Sequence, residues 1–314
     1  MPTYNSIIDR TDATPLIPEE VSREIVQALP QQSAVMRLFR RVTMSRGQQR
    51  MPVVSALATA YFVNGDTGLK QTSEVNWTNK YLNAEELAVI VPIPQAVLDD
   101  ANYDYDIWGE IRPRLVEAFG RALDAAVLFG TNKPTSWPDA IVTAATTAGN
   151  VLSLGTGDIV DKIGGEGGIM NLVEADGFDV NFFLGAVSVK AKLRGARTAE
   201  GALIFQPSVT ADTPSTLYGQ PLEFPQNGAW DASSALLICG DRTAGVIGVR
   251  QDIQVKILDQ AVIQDGSGTI VYNLAQQDMV ALRATMRVAW QVPNPITNLG
   301  GGGSSQYPFA VLTP

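Results

Sequence analysis

The stretch from Phe39 to Leu82 constrains this chain most, because it is strand-forming yet carries little from which to build a core of its own. The pieces RVTM and MPVV are β-prone, and SALATAYFVNGDTGLKQTSEVNWTNKYL follows with turn signals at Asn64-Gly65 and Thr67-Gly68. Residues 69–81 are markedly polar. The next segment, EELAVIVPIP, sets Leu87, Val89, Val91 and Ile93 on one face, while Pro92 and Pro94 put its end at a sheet edge or outside the sheet. These segments together predict a long two-stranded projection that returns to a core. At about 3.3 Å per residue, a leg of about twelve residues reaches roughly 40 Å, enough to cross a seam between subunits.

Met51, Val53, Tyr61, Phe62 and Trp77 are the candidate anchors on that projection, since apolar side chains there find little core of their own. The surrounding Thr, Asn, Gln and Ser resemble an interface rim. The competing reading is a small local core inside an ordinary hairpin.

Composition removes several functions. Of 314 residues, 45% are hydrophobic and 18% charged, below the roughly 25% typical of soluble proteins, which points to surface covered by partners. The net charge is −9, so no global attraction for a phosphate backbone exists and sequence-reading nucleic-acid binding is not expected. There is no histidine and one cysteine, Cys239, so a Cys/His zinc site, a Ser-His-Asp triad and an intrachain disulfide lack their parts. Cys239 lies in SSALLICGDRT and reads as a buried structural thiol. No apolar run is long enough to span a membrane and the first residues lack a secretory pattern, so a soluble intracellular product is expected.

Carboxylates leave one enzymatic opening. Asp99 with Asp100, or Asp104 with Asp106, resembles a metal-binding pair, but acids at an incipient helix also interact with its free amides, and that structural account is preferred. GGEGG at 164–168 lacks the GxxxxGK[ST] pattern of a phosphate loop. No catalytic residue, metal site or cofactor is expected.

Residues 1–17 read as an extended arm, followed by a short helix in VSREIVQAL that ends at Pro30. From Tyr105 to Phe129 a long helix is predicted, with Ile107, Ile111, Leu115, Phe119 and Ala122 on one stripe and a bend at Pro113. Downstream lie a helix over 158–175 that its glycines allow to divide, a strand at 180–184, a helix at 186–197 and a strand in GALIFQP. Further strands fall in ALLIC, AGVIGVR and DIQVKIL, with turns at Gly240-Asp241 and Gln251-Asp252. In VALRATMRVAW, Val280, Leu282, Ala284, Met286, Val288 and Trp290 alternate with a face bearing Arg283 and Arg287, as in a partly exposed strand. TNLGGGGSSQYPFAVLTP holds a glycine-serine hinge and an end expected to be mobile or docked on another subunit. The fold class is α+β.

In order along 17–298, IPEEVSREI, EELAVIVPIPQAVLDDA, the long helical segment, LYGQPLEFP, LICGDRTAGVIGVRQDIQVKIL and DMVALRATMRVAWQV resemble the major capsid protein of tailed bacteriophages. That resemblance implies the Hong Kong 97-like phage capsid fold, shared with encapsulins. It implies an N-terminal arm at 1–48, an extended hairpin loop at 49–82, and a peripheral domain at 83–134 with a spine helix. It further implies an axial domain at 135–273, a return to the peripheral domain at 274–298, and a flexible tail at 299–314.

The function implied is a homo-oligomer of hexamers and pentamers forming an icosahedral shell around double-stranded DNA, without sequence-specific recognition. The implied location is the virion capsid, assembled in the host cytoplasm. A portal at one vertex, scaffolding or decoration proteins and a maturation protease are implied partners, and no membrane. Arg283 and Arg287 are candidates for ion pairs between or within subunits, ahead of contact with nucleic acid.

Some capsids of this kind join a hairpin lysine to a neighbouring asparagine. Lys70 or Lys80 with Asn294 or Asn298 would be the parts, but no carboxylate residue follows Asp278 to manage protons. The alternatives are an encapsulin-like shell around protein cargo and a carboxylate-dependent enzyme.

Overall fold

The computed structural model describes residues 33–58, 60, 62, 70, 72–100, 107–196, 216–297, 299 and 306–314, excepting the side chains of 99, 100, 107–110 and 112. Two sheets and one long helix organise them. A four-stranded sheet is ordered β1 (Arg40–Thr43), β10 (Val246–Leu258), β13 (Met279–Gln291) and β4 (Glu85–Pro94). A six-stranded sheet is ordered β5 (Val151–Ser153), β14 (Phe309–Thr313), β9 (Leu237–Gly240), β6 (Phe182–Gly185), β8 (Gln220–Glu223) and β7 (Thr216–Leu217).

β13 alternates as expected from Leu282 to Val288, while Ala281 and Ala289, expected on its outer face, are buried as well. Leu282, Ala284, Met286, Val288 and Trp290 are buried while Arg283, Thr285 and Arg287 are half-buried. β4 pairs only with β13 and forms a sheet edge, where the missing amides of Pro92 and Pro94 cost least. Its Ile93 is buried, and Leu87, Val89 and Val91 pack on the core.

The long helix α3 (Ile107–Asp124) continues past Pro113 and widens into a π-helical turn at Ala125–Phe129, ending at Gly130 with φ 78°. Only glycine adopts that left-handed conformation without strain. Helix and π-turn together are about 34 Å long. The buried face runs through Leu115, Val116, Phe119, Leu123, Ala126 and Val127. Ala122, expected on the stripe, is exposed because the four-residue spacing continues from Phe119 to Leu123.

Phe39, Phe182, Trp290 and Phe309 meet between the two sheets, with ring centroids 5.0 to 6.0 Å apart. The opposite face of the six-stranded sheet, with Phe183, Leu237, Cys239 and Leu312, buries itself under α5 (Ile159–Gly164), α6 (Ile169–Ala175) and α7 (Val189–Gly195). The glycine-rich 158–175 segment is therefore divided into two helices. A helix not predicted, α4 (Ile141–Ala148), packs against β14.

Four expectations are corrected. The chain end is neither mobile nor docked elsewhere: β14 lies between β5 and β9 inside the sheet, and Phe309, Ala310, Val311 and Leu312 are wholly buried. Residues 33–48 are not arm, since α1 (Ala34–Leu38) and β1 are built into the body and Val35, Met36 and Phe39 are core. The block 135–273 is divided, because β10 pairs with β13, and β11 (Val262–Gln264) and β12 (Ile270–Asn273) form a separate hairpin packed beside Met279 and Ala281 of β13, neither joining the six-stranded sheet. The turn at Gln251-Asp252 is an irregularity in the continuous strand β10, where pairing with β13 shifts register. The helix in VSREIVQAL, the turns at 64–68 and the strand in GALIFQP lie outside the described residues.

Candidate assembly interface

Two strands, β2 (Gln48–Ala56) and β3 (Asn76–Asn83), form a two-stranded antiparallel sheet of their own. Its root is fixed to the body. The Ala84 amide donates to Gly47 O at 2.8 Å, Trp137 Nε1 donates to Asn83 O at 3.0 Å, and Asn83 Nδ2 donates to Ser136 O at 3.1 Å. Gln291 Nε2 at the end of β13 donates to Tyr81 O at 2.9 Å. Leu82 is fully buried with Met44, Val246 and Ala289, so the ribbon leaves from a packed joint.

Register sorts the anchors onto two faces. Val54 lies opposite Trp77, Pro52 opposite Asn79 and Arg50 opposite Tyr81; Met51 opposes Lys80, and Val53 opposes Thr78. Directly paired residues share a face, so Trp77, Tyr81, Val54 and Pro52 line one side and Met51, Val53 and Leu82 the other. Met51 packs on the Leu82 cluster of its own chain, which is the local-core reading for that residue. Trp77 is 66% exposed and Tyr81 42%, while Phe62 is completely exposed. Pro52, Val54 and Tyr81 escaped sequence reasoning, because only the register shows that they accompany Trp77. Tyr61 lies outside the described residues.

Among the described residues nothing buries the Trp77 indole, which leaves a large apolar group exposed on a thin ribbon. Lys70 and Lys80 are exposed. Asn294 is half-buried with φ 49°, and its Nδ2 donates to Gln306 O at 2.7 Å, so its amide is already engaged within the chain. Asn298 lies outside the described residues.

Arg287 forms an intrachain ion pair with Glu86 at 2.7 Å across the β13–β4 pairing. Arg283 has a buried Nε without a hydrogen-bond partner.

The joint between the end of α3 and the start of α1 is polar and buried. Asp124, at the end of α3, accepts hydrogen bonds from Ser33 Oγ at 2.6 Å, the Ala34 amide at 3.0 Å, the Val35 amide at 3.1 Å and Asn227 Nδ2 at 2.7 Å. Burial raises its pKa above the ordinary carboxylate value, against the lowering effect of these four donors. Burial also pushes the Cys239 thiol far above its usual range, which makes it unreactive. Among the described residues, no group of three or more His, Cys, Asp or Glu is arranged to hold a metal ion.

A sequence profile described as the Phage capsid family matches residues 13–296. The major capsid protein of Staphylococcus phage 80alpha is 27% identical over 280 residues, covering 87% of this chain and 80% of that protein. A solved structure from Microbacterium phage Oxtober96 is 42% identical with a TM-score of 0.78, covering 90% of this chain and 91% of that one. One from Mycobacterium phage Cain is 35% identical with a TM-score of 0.78, covering 90% of each chain. With a projecting ribbon rooted on a two-sheet body, the Hong Kong 97-like architecture, and these similarities along nearly its whole length, the chain belongs to the phage capsid family.

Proposed function

We propose that the chain is the major capsid subunit of a tailed phage, assembling as hexamers and pentamers into an icosahedral shell that encloses double-stranded DNA. The observation that carries this reading is the ribbon β2–β3, a rooted two-stranded arm whose Trp77 is left exposed by the described residues of its own chain. Covering that face with a neighbouring copy buries apolar area repeatedly around a closed particle, so that individually modest contacts add up to a stable shell.

In this reading the ribbon is the extended loop, α3 the spine helix and the four-stranded sheet the peripheral domain. The six-stranded sheet with α5, α6 and α7 is the axial domain that packs around the symmetry axes. Its boundary then lies near Gly240–Val246, with β14 returning to it. Residues before Ser33 form the arm that crosses neighbours. The acidic balance of the chain suits a container whose walls release DNA instead of reading it. A portal at one vertex, scaffolding and a protease belong to the same reading, as does assembly in the host cytoplasm.

An encapsulin-like shell would use the same fold around a protein cargo. Electron microscopy of purified assemblies tests both. Closed icosahedral particles with overlapping ribbons and DNA support the proposal. Particles with reproducible enzyme cargo transfer the assignment to a compartment, and a chain that remains a monomer in assembly conditions overturns it.

A further inference from the structure

Positive charge is concentrated at one place on this acidic chain. Between Glu24 and Asp66 there is no acidic residue and no lysine, but five arginines occur: Arg37, Arg40, Arg41, Arg46 and Arg50. Arg37 is paired with Glu223. The other four gather around the point where the Gly47 turn meets β10. Thr43 at the end of β1 pairs with Val249, the Met44 amide donates to Val249 O at 2.9 Å, and Arg250 Nη1 lies 3.3 Å from where a β-carbon on Gly47 would stand. Arg40 and Arg41 precede Thr43 on β1, Arg46 adjoins Gly47, and Arg50 follows it on β2. With Arg250, five guanidinium groups are thus carried within about three residues, about 10 Å of strand, of that point.

All five are exposed, and none has an ion-pair partner among the described residues. Two acids lie close by. They are Asp252 on β10 and Glu85, which follows the Ala84 amide hydrogen-bonded to Gly47, and the Glu85 carboxylate accepts from Ser136 Oγ instead of from an arginine. The patch therefore stays net positive on a chain of net charge −9. The opposite edge of the sheet, β4 with α2 (Gln95–Asp100) after it, carries no lysine or arginine. Among residues 40–50 no large apolar side chain is exposed, and the exposed neighbours of the arginines there are Thr43, Ser45 and Gln48. Tyr81, opposite Arg50, belongs to the ribbon face already described.

We propose that this arginine patch holds the phosphate backbone of the enclosed double-stranded DNA, which turns the β1 edge and the root of the ribbon towards the interior of the shell. This rests on the shell reading above and adds to it the part of the wall that meets the contents. A protein partner is gripped mainly through apolar and aromatic anchors, and residues 40–50 expose none. Guanidinium forks, hydroxyls and amides are the groups that contact phosphate oxygens, and all five cations are arginines. A patch about 20 Å across spans about six base-pair steps of about 3.4 Å. Such contacts carry no sequence information. Being few and weakened by salt, they let the backbone slide, while the acidic remainder of the chain repels it.

The test uses the unassembled full chain and a fluorescently labelled duplex of mixed sequence, with binding followed by anisotropy from about 50 to about 200 mM salt. Five phosphate contacts predict that the parent loses about 500-fold in affinity over that range, and R40Q/R41Q, with three left, about 40-fold. R46Q/R250Q is expected to behave like R40Q/R41Q. K192Q/K256Q removes the same charge from exposed lysines outside the patch and should follow the parent.

A parent that does not bind the duplex at the low-salt end overturns the proposal. So does an R40Q/R41Q chain that keeps the parent's salt dependence, or a K192Q/K256Q chain that loses as much of it. If R40Q/R41Q binds DNA as the parent does but no longer assembles, the arginines hold a neighbouring copy and the proposal is overturned. Should R40Q/R41Q fail to fold, R46Q/R250Q decides by the same slope. A parent chain that forms no shells defeats the shell reading itself, whereas shell-forming chains that ignore the duplex defeat only this contact.

Discussion

Ser33 donates its hydroxyl to Asp124 Oδ1 at 2.6 Å across 91 positions of sequence, tying the last turn of the long helix to the start of α1. The same carboxylate receives the Ala34 and Val35 amides, so it serves as the remote cap of a five-residue helix. Ser33 in turn accepts from the Met36 amide at 3.1 Å.

Asp124→Asn places an amide group among four donors and leaves at least one of them unsatisfied in a buried site. We expect a loss of about 2–4 kcal/mol in chemical denaturation of the unassembled chain. The pH dependence has a defined sign. Because the folded-state pKa is raised, the native chain takes up this proton before the unfolded chain does as pH falls, and the parent gains stability from this group between the raised value and about 4. The gap between parent and D124N therefore widens as pH is lowered from 7 towards 4. A gap that narrows over that range would show that Asp124 is held in its charged form.

Trp77→Ala removes the largest exposed apolar group of the ribbon without touching its root. The unassembled chain should melt at the parent's temperature, while particles should lose thermal stability by several degrees. Tyr81→Ala should act in the same direction and Val53→Ala much less, since Val53 lies on the opposite face. Equal effects from Trp77 and Val53 would contradict the division into faces.

Ending the chain at residue 305 removes β14, whose Phe309, Val311 and Leu312 are wholly buried. Each such side chain contributes about 2–5 kcal/mol, so the deletion exceeds the total stability of a typical domain. The truncated chain should be recovered as insoluble or protease-sensitive material. Soluble, normally assembling truncated protein, assayed by limited proteolysis, would contradict a central role for this strand.

Gly245→Ala brings a methyl group to 2.3 Å from Phe39 Cδ1 and 2.8 Å from the Trp290 ring. Both rings are locked in the cluster between the sheets and have no room to swing away. A loss of about 1–3 kcal/mol is expected in equilibrium unfolding, without any change in the ribbon.

Elements whose side-chain period is long and uninterrupted could be read directly from residue spacing. β13 and β4 alternate over ten residues or more, and the stripe of α3 repeats over several turns, so each was legible from spacing alone. The Asn64-Gly65 and Thr67-Gly68 signals and the polar run after them announced a ribbon, and β2 and β3 form its legs.

Register and long-range partners depend on contacts between segments far apart in the chain. FAVLT is five apolar-rich residues behind a glycine-serine run, and nothing local distinguishes a loose tail from a central strand; β5 and β9, 158 and 72 residues away at the first residue of each, supply the hydrogen bonds that make it one. Which apolar residues join Trp77 depends on a pairing in which a one-residue slip exchanges the faces. Asp124 looked like any acid on a helix, and became the buried cap of α1 because the fold brought Ser33 and Asn227 to it and removed the water.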